Sequence, residues 1–225
     1  MKRIPYLSFF LCLLTLLLLI GQCFSGEANA AAKYKLQTLK MEAISATPLS
    51  PEASLSSKKV LMVIATKDFQ DQEFLQPKKI LEKRGVKIDI ASTSLDPATG
   101  MHGLKVKPDR LIKQVKAGDY DAIIFVGGNG ALVLADDRSV LSLAREAQKN
   151  KKVIGAICIA PVILAKAGIL EGKRATVSPS GAADLKKGKA FCTGKKVEVD
   201  GNLITGNGPG AAEEFGNTIL RHLLP

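Results

Sequence analysis

The chain is 225 residues long and carries 32 basic and 21 acidic residues, a formal net charge of +11. The lysines are scattered and aromatic residues make up only 5% of the chain. With no basic run interleaved with aromatics, the charge reads as a solvated surface and no nucleic-acid partner is expected.

Met1-Lys2-Arg3, the apolar stretch from Leu11 to Ile20 and the small-residue triplet Ala28-Asn29-Ala30 form the three parts of a secretory signal peptide over residues 1–30. The apolar run is short for a membrane span. Gln22 is a poor match to the small residue that precedes a lipid-attached cysteine, so Cys23 does not read as a lipoprotein anchor. The mature chain is therefore expected to be periplasmic or secreted, with no stable membrane anchor. Residues 31–57, with Pro48, Pro51 and many Ser and Ala but no period, read as a linker, and residues 58–225 as one domain.

Val60 to Ala65 predicts a buried strand, followed by a helix from about Gln72 to Arg84 that stops at Gly85. Val86 to Ala91 alternates as a strand, Asp96-Pro97 and Gly100 mark turns, and Leu104 to Val106 predicts a short strand. Asp121 to Val126 is a further buried strand ending at Gly127-Gly128-Asn129-Gly130, and a helix spans Ser139 to Lys149. Beyond Val153 to Ile157 come a strand over Arg174 to Val177 and a short helix near Ala182. A hairpin around Asp200-Gly201-Asn202 and a last helix from about Gly210 to Leu224 complete the chain. Buried strands alternating with helices predict an α/β three-layer sandwich with a mainly parallel sheet, whose sites gather at the carboxyl ends of strands. Glu73, Gly128 and Cys158 each follow such a strand.

Val153-Ile154-Gly155-Ala156-Ile157-Cys158-Ile159-Ala160-Pro161 runs from a buried strand into a helix with proline at its first position, and places Cys158 at the turn. A nucleophile elbow needs small residues two before and two after the nucleophile, here Ala156 and Ala160. The helix N-terminus offers N–H groups and a partial positive charge that lower a thiol's pKa and hold an oxyanion. The alternatives are that Cys158 is a small buried hydrophobe, or that it pairs with Cys192 in an oxidising compartment. Cys12 and Cys23 fall in the leader. No Cys-x-x-Cys pair, His-x-x-x-His pair or carboxylate cluster is present, so neither a metal nor another cofactor is expected.

Glu73 in Asp71-Gln72-Glu73-Phe74-Leu75-Gln76-Pro77, the Val126-Gly127-Gly128 turn, the Ala156-Ile157-Cys158 elbow and Gly208-Pro209-Gly210 before Glu214-Phe215 follow in the order seen in one family. Residues 58–225 resemble the ThiJ/PfpI family, whose fold is flavodoxin-like and class I glutamine amidotransferase-like. The resemblance implies that Cys158 is the nucleophile, Glu73 the acid against its sulfur, and the Gly128 and Ile159 N–H groups the oxyanion hole. It also implies a homo-oligomer. Independently, a carboxyl beside a thiolate in an apolar pocket keeps its proton and can move it. Pro77 leaves the Glu73 carbonyl without its usual helical donor. The alternative for Glu73 is an ordinary first-turn acid.

Many relatives carry a histidine after the cysteine or before a proline in a later strand, where this chain has Ile159 and Ser178. His222 reads as a cation at a helix C-terminus and His102 as an exposed turn residue. The function expected is therefore attack by Cys158 on a small reactive aldehyde or glycated substrate, of the glyoxalase or deglycase type, with Glu73 as acid/base. A cysteine hydrolase or peptidase is the alternative, and a non-catalytic redox sensor or stress chaperone the third reading.

Overall fold

The computed structural model describes residues 55–224; the leader and residues 31–54 of the linker lie outside the described residues. The chain order is β1 (Lys59–Val63), β2 (Lys67–Phe69), α1 (Asp71–Glu82), β3 (Lys87–Ser92), β4 (Ala98–Gly100), β5 (Lys105–Val106), β6 (Arg110–Leu111) and β7 (Ala122–Phe125). It continues with α2 (Ala131–Leu134), α3 (Arg138–Lys149), β8 (Val153–Ile157), α4 (Pro161–Lys166), β9 (Arg174–Ala175) and α5 (Ala182–Lys187). Then follow β10 (Phe191–Cys192), β11 (Val197–Asp200), β12 (Leu203–Gly206) and α6 (Ala212–Leu223). Leu55 is buried and its N–H donates to the Arg84 carbonyl, so the packed unit takes in residues 55–57, which composition assigns to the linker.

The three apolar runs, now β1, β7 and β8, form with β12 the middle of a seven-stranded sheet in the order β11-β12-β8-β7-β1-β3-β6. Neighbours pair parallel throughout, except β11, which turns back on β12 as the predicted hairpin. Strand side chains alternate between faces, so Leu61, Val63, Ile123, Phe125 and Ile154 meet Val140, Leu143, Ala144 and Ala147 of α3 and Ile163 and Leu164 of α4. On the other face lie α1 and α6. A Cβ at Gly155 would stand 2.9 Å from Phe215 Cζ and 2.9 Å from Ile219 Cδ1, so glycine lets α6 settle onto β8. A Cβ at Gly216 would likewise stand 2.9 Å from Pro77 Cα. α6 therefore holds α1, the helix carrying Glu73, by close backbone approach.

Helix ends follow local chemistry. The Gln70 side chain accepts from the Glu73 N–H at 2.9 Å at the start of α1, and Gly85 turns the chain at its end with φ +81°. Asp137 caps α3 by accepting from the Ser139 N–H at 2.7 Å. In a small sheet, β2-β4-β5, the strand expected at Leu104 to Val106 forms β5, whereas Lys67-Asp68-Phe69 and Ala98-Thr99-Gly100 are too short to show a period. The strand expected at Arg174 to Val177 is two residues long and pairs parallel with β10 outside the main sheet.

Phe215 is fully buried whereas Val133 is 75% exposed. Phe215→Ala should cost about 3–5 kcal/mol in urea unfolding. Val133→Ala should stay within about 0.5 kcal/mol.

Candidate active site

The end of β8 delivers Cys158 in the left-handed region, at φ +64°. A non-glycine residue persists there only when its surroundings over-determine it. Here the Cys158 N–H donates to the Gly206 carbonyl at 2.9 Å, and the Ser178 N–H donates to the Cys158 carbonyl at 2.8 Å. Ala156 and Ala160 are fully buried on either side, as an elbow requires. Pro161 is the first residue of α4. The side chain of Cys158 is half-buried, and Cys158 and Cys192 are both free, the latter exposed on β10.

The loop after β7 comes to meet this turn. At Gly127 an added Cβ would lie 2.6 Å from Cys158 Cβ and 2.6 Å from the Ile157 carbonyl, and would collide with Glu73 Oε2. Gly128 has φ +97° and a Cβ there would lie 2.8 Å from the Phe69 carbonyl carbon. Bare backbone at these two positions lets α1, the β7 loop and the elbow converge on one point. The structure thus brings together Cys158, Glu73, Gly128 and Ile159.

Glu73 has no solvent exposure. Neither carboxyl oxygen has a directed hydrogen bond, although the Cys158 thiol and the Gly127 N–H lie near enough to favour its charge. Burial outweighs them and pushes the carboxyl up to about 7. The Cys158 thiol is raised as well, first by burial and then by the Glu73 charge, against the lowering effect of the Gly128 and Ile159 N–H groups. The two groups titrate as a pair. The expectation of an acidic thiol at a helix N-terminus is therefore reversed: α4 has only six residues, and its dipole loses to desolvation and a facing carboxylate.

Ser178, one of the two positions where the resemblance implies a histidine, stands against the elbow by its backbone N–H, its Oγ 3.1 Å from Ser180 Oγ. His222 Nδ1 bonds the Thr218 carbonyl at 2.8 Å within α6, a structural position. His102 is exposed, and among the described residues no histidine is hydrogen-bonded to Cys158 or Glu73. No cluster of three metal-ligating residues is present among them either. Asp71 was passed over in the sequence because it looks like one more first-turn acid. It is buried, and its carboxylate accepts from the His102 and Leu104 N–H groups, each at 3.0 Å. Burial pushes that carboxyl up, but the two N–H donors prevail and hold it below the ordinary carboxylate range.

A carboxyl raised in the folded state favours folding below its unfolded value of 4.5, and that contribution is lost as pH rises to about 7. Across that window the stability of wild type should fall relative to Glu73→Gln in thermal denaturation. The same substitution removes the charge facing the sulfur, so the pH midpoint of Cys158 alkylation, followed by mass mapping, should move down.

The chain matches the model of the DJ-1/PfpI family over residues 58–222. A Bacillus subtilis protein designated a candidate cysteine protease is 36% identical over 171 residues, 74% of this chain and 99% of the relative. A deglycase of Pyrococcus horikoshii is 31% identical over 151 residues, 67% of this chain and 90% of the relative. Among solved structures, a ThiJ/PfpI domain protein from Brachyspira murdochii superposes with a TM-score of 0.71 at 34% identity, covering 72% of this chain and 94% of that one. With the elbow, the glycine loop and the buried glutamate in one place, the chain belongs to the DJ-1/PfpI family.

Proposed function

We propose that this protein is an exported cysteine enzyme of the glyoxalase or deglycase type, acting on small reactive carbonyls such as α-oxoaldehydes. The observation that carries this reading is the Glu73 carboxyl, fully buried, without a directed partner, and packed over Gly127 beside Cys158. A carboxyl held near 7 is ionised often enough to accept a proton and protonated often enough to return one. The name of the Pyrococcus relative, a deglycase, supports the substrate class.

In this mechanism Glu73 takes the thiol proton as Sγ bonds to the aldehyde carbon. The carbonyl electron pair moves to oxygen, where the Gly128 and Ile159 N–H groups stabilise the oxyanion until Glu73 returns the proton. Glu73 then takes the proton from the carbon bearing sulfur, the hydroxyl proton on that carbon passes to the neighbouring carbonyl oxygen, and Glu73 returns the first proton to the adjacent carbon, leaving a thioester of a 2-hydroxy acid. Water hydrolyses the thioester and frees the thiol. No external oxidant, reductant or metal enters this balance.

The name of the Bacillus subtilis relative favours a second reading, a cysteine peptidase. That chemistry asks for a base that keeps the thiolate ready, and neither His102 nor His222 is bonded to Cys158. Peptide cleavage without aldehyde turnover would select it. We also propose export through the residue 1–30 leader, supported by its three-part pattern, and assembly with a second copy, for which exposed Leu75 and Met101 offer apolar surface.

Cys158→Ser should abolish turnover of methylglyoxal. Glu73→Gln should lower kcat by about 10²–10⁴-fold with KM little changed, because Gln keeps the shape but carries no transferable proton. Wild-type turnover by Glu73→Gln would reduce the carboxyl to a neighbour. N-terminal sequencing of the exported protein should begin at Ala31; an intact Met1 on cytoplasmic protein would refute the leader.

A further inference from the structure

Outside the Glu73–Cys158 pair, Asp71 is a buried charge, 6% exposed at the first residue of α1. Its Oδ2 accepts from the His102 N–H and its Oδ1 from the Leu104 N–H, both at 3.0 Å. Gly100 closes the socket, since a Cβ there would lie 2.6 Å from Asp71 Oδ2. One carboxylate thus satisfies two backbone donors of the turn that joins β4 to β5.

That turn is tied on its other side to the glycine loop. The Met101 N–H donates to the Phe69 carbonyl at 2.8 Å. Phe69 and Gln70 in turn support the loop after β7: Gln70 N–H donates to the Gly127 carbonyl at 2.9 Å, and the Gly128 Cα sits so close that a Cβ would meet Gln70 N at 2.5 Å. A run of backbone contacts therefore leads from Asp71 through the turn and Phe69 to Gly128, whose N–H acts on the Cys158 sulfur.

We propose that Asp71 is a positioning residue for the oxyanion-binding loop: by pinning the 100–104 turn it holds Phe69 and Gln70 against Gly128 and so fixes the Gly128 N–H on the sulfur of Cys158. The proposal rests on the reading of Cys158 as the reacting group and deepens it.

The test compares the mature wild type with Asp71→Ala, Asp71→Asn and Asp137→Ala. Asp137 caps α3 with the same chemistry, accepting from two backbone N–H groups, but belongs to no contact of the loop chain. It therefore controls for loss of a carboxylate that accepts from two backbone N–H groups. Amide hydrogen exchange at His102 and Leu104 should become about tenfold faster in Asp71→Ala. The pH midpoint of Cys158 alkylation should move up in Asp71→Ala and stay at the wild-type value in Asp137→Ala. Glu73, which titrates against the thiol, is unchanged in all four proteins. Losing the Asp71 charge alone would move the midpoint down, so an upward shift reports the displaced N–H. A midpoint shared by Asp71→Ala and Asp137→Ala, or unchanged exchange at His102 and Leu104, overturns the proposal. Should Asp71→Ala fail to fold, Asp71→Asn, which keeps one acceptor oxygen, must show both effects in the same direction. Neither readout uses aldehyde turnover, so the substrate class can fail without deciding this test.

Discussion

A carboxyl with no solvent exposure and no directed hydrogen bond is the constraint on which this site turns. An ionised carboxylate buried alone costs several kcal/mol, and a protein group so placed retains its proton instead. Glu73 meets that condition because Gly127 leaves room for its Oε2 over the Cys158 turn. The thiol faces the same desolvation and the same neighbour, so neither group ionises without the other responding. This coupling makes the pair suited to passing one proton back and forth rather than to storing a permanent thiolate.

Holding that arrangement takes most of the fold. β8 brings the elbow from within the sheet, where Ile154, Ala156 and Ile157 are fully buried. α6 lies on Gly155 and, through Gly216, on Pro77 of α1. The side chain that faces the sulfur is thus placed by helix packing on one face of the sheet, and the sulfur by strand pairing within it. Such close-packed contacts transmit small displacements rather than absorbing them.

The site also departs from what its relatives led us to expect. A serine occupies the place beside the elbow where a histidine was sought, and the two histidines of the chain serve elsewhere, one in the last turn of α6 and one on an exposed turn. Among the described residues, the groups that act on the Cys158 thiol are the Glu73 carboxyl and the Gly128 and Ile159 N–H groups. That set fits chemistry in which a single group moves protons, and fits poorly with a triad that needs a base oriented by a third partner.

Three apolar runs, their punctuation by Gly85 and Gly127-Gly128, and the small residues flanking Cys158 made the parallel sheet and the elbow legible from the chain alone, because burial on both faces writes itself as a nearly uninterrupted apolar run. Glu73 was legible through its spacing from Pro77 and its order before the elbow. Of the β2-β4-β5 sheet only β5 was legible; β2 and β4 were not, since three-residue strands have no period to detect. Nor was Asp71, whose partners His102 and Leu104 are about thirty residues away and are backbone groups, which carry no side-chain signature. The sequence by itself determined which residues could carry the chemistry. Only the tertiary structure decided their protonation, because the acidity of Glu73 and Cys158 depends on how much water is excluded and which charges face each other across elements far apart in the chain.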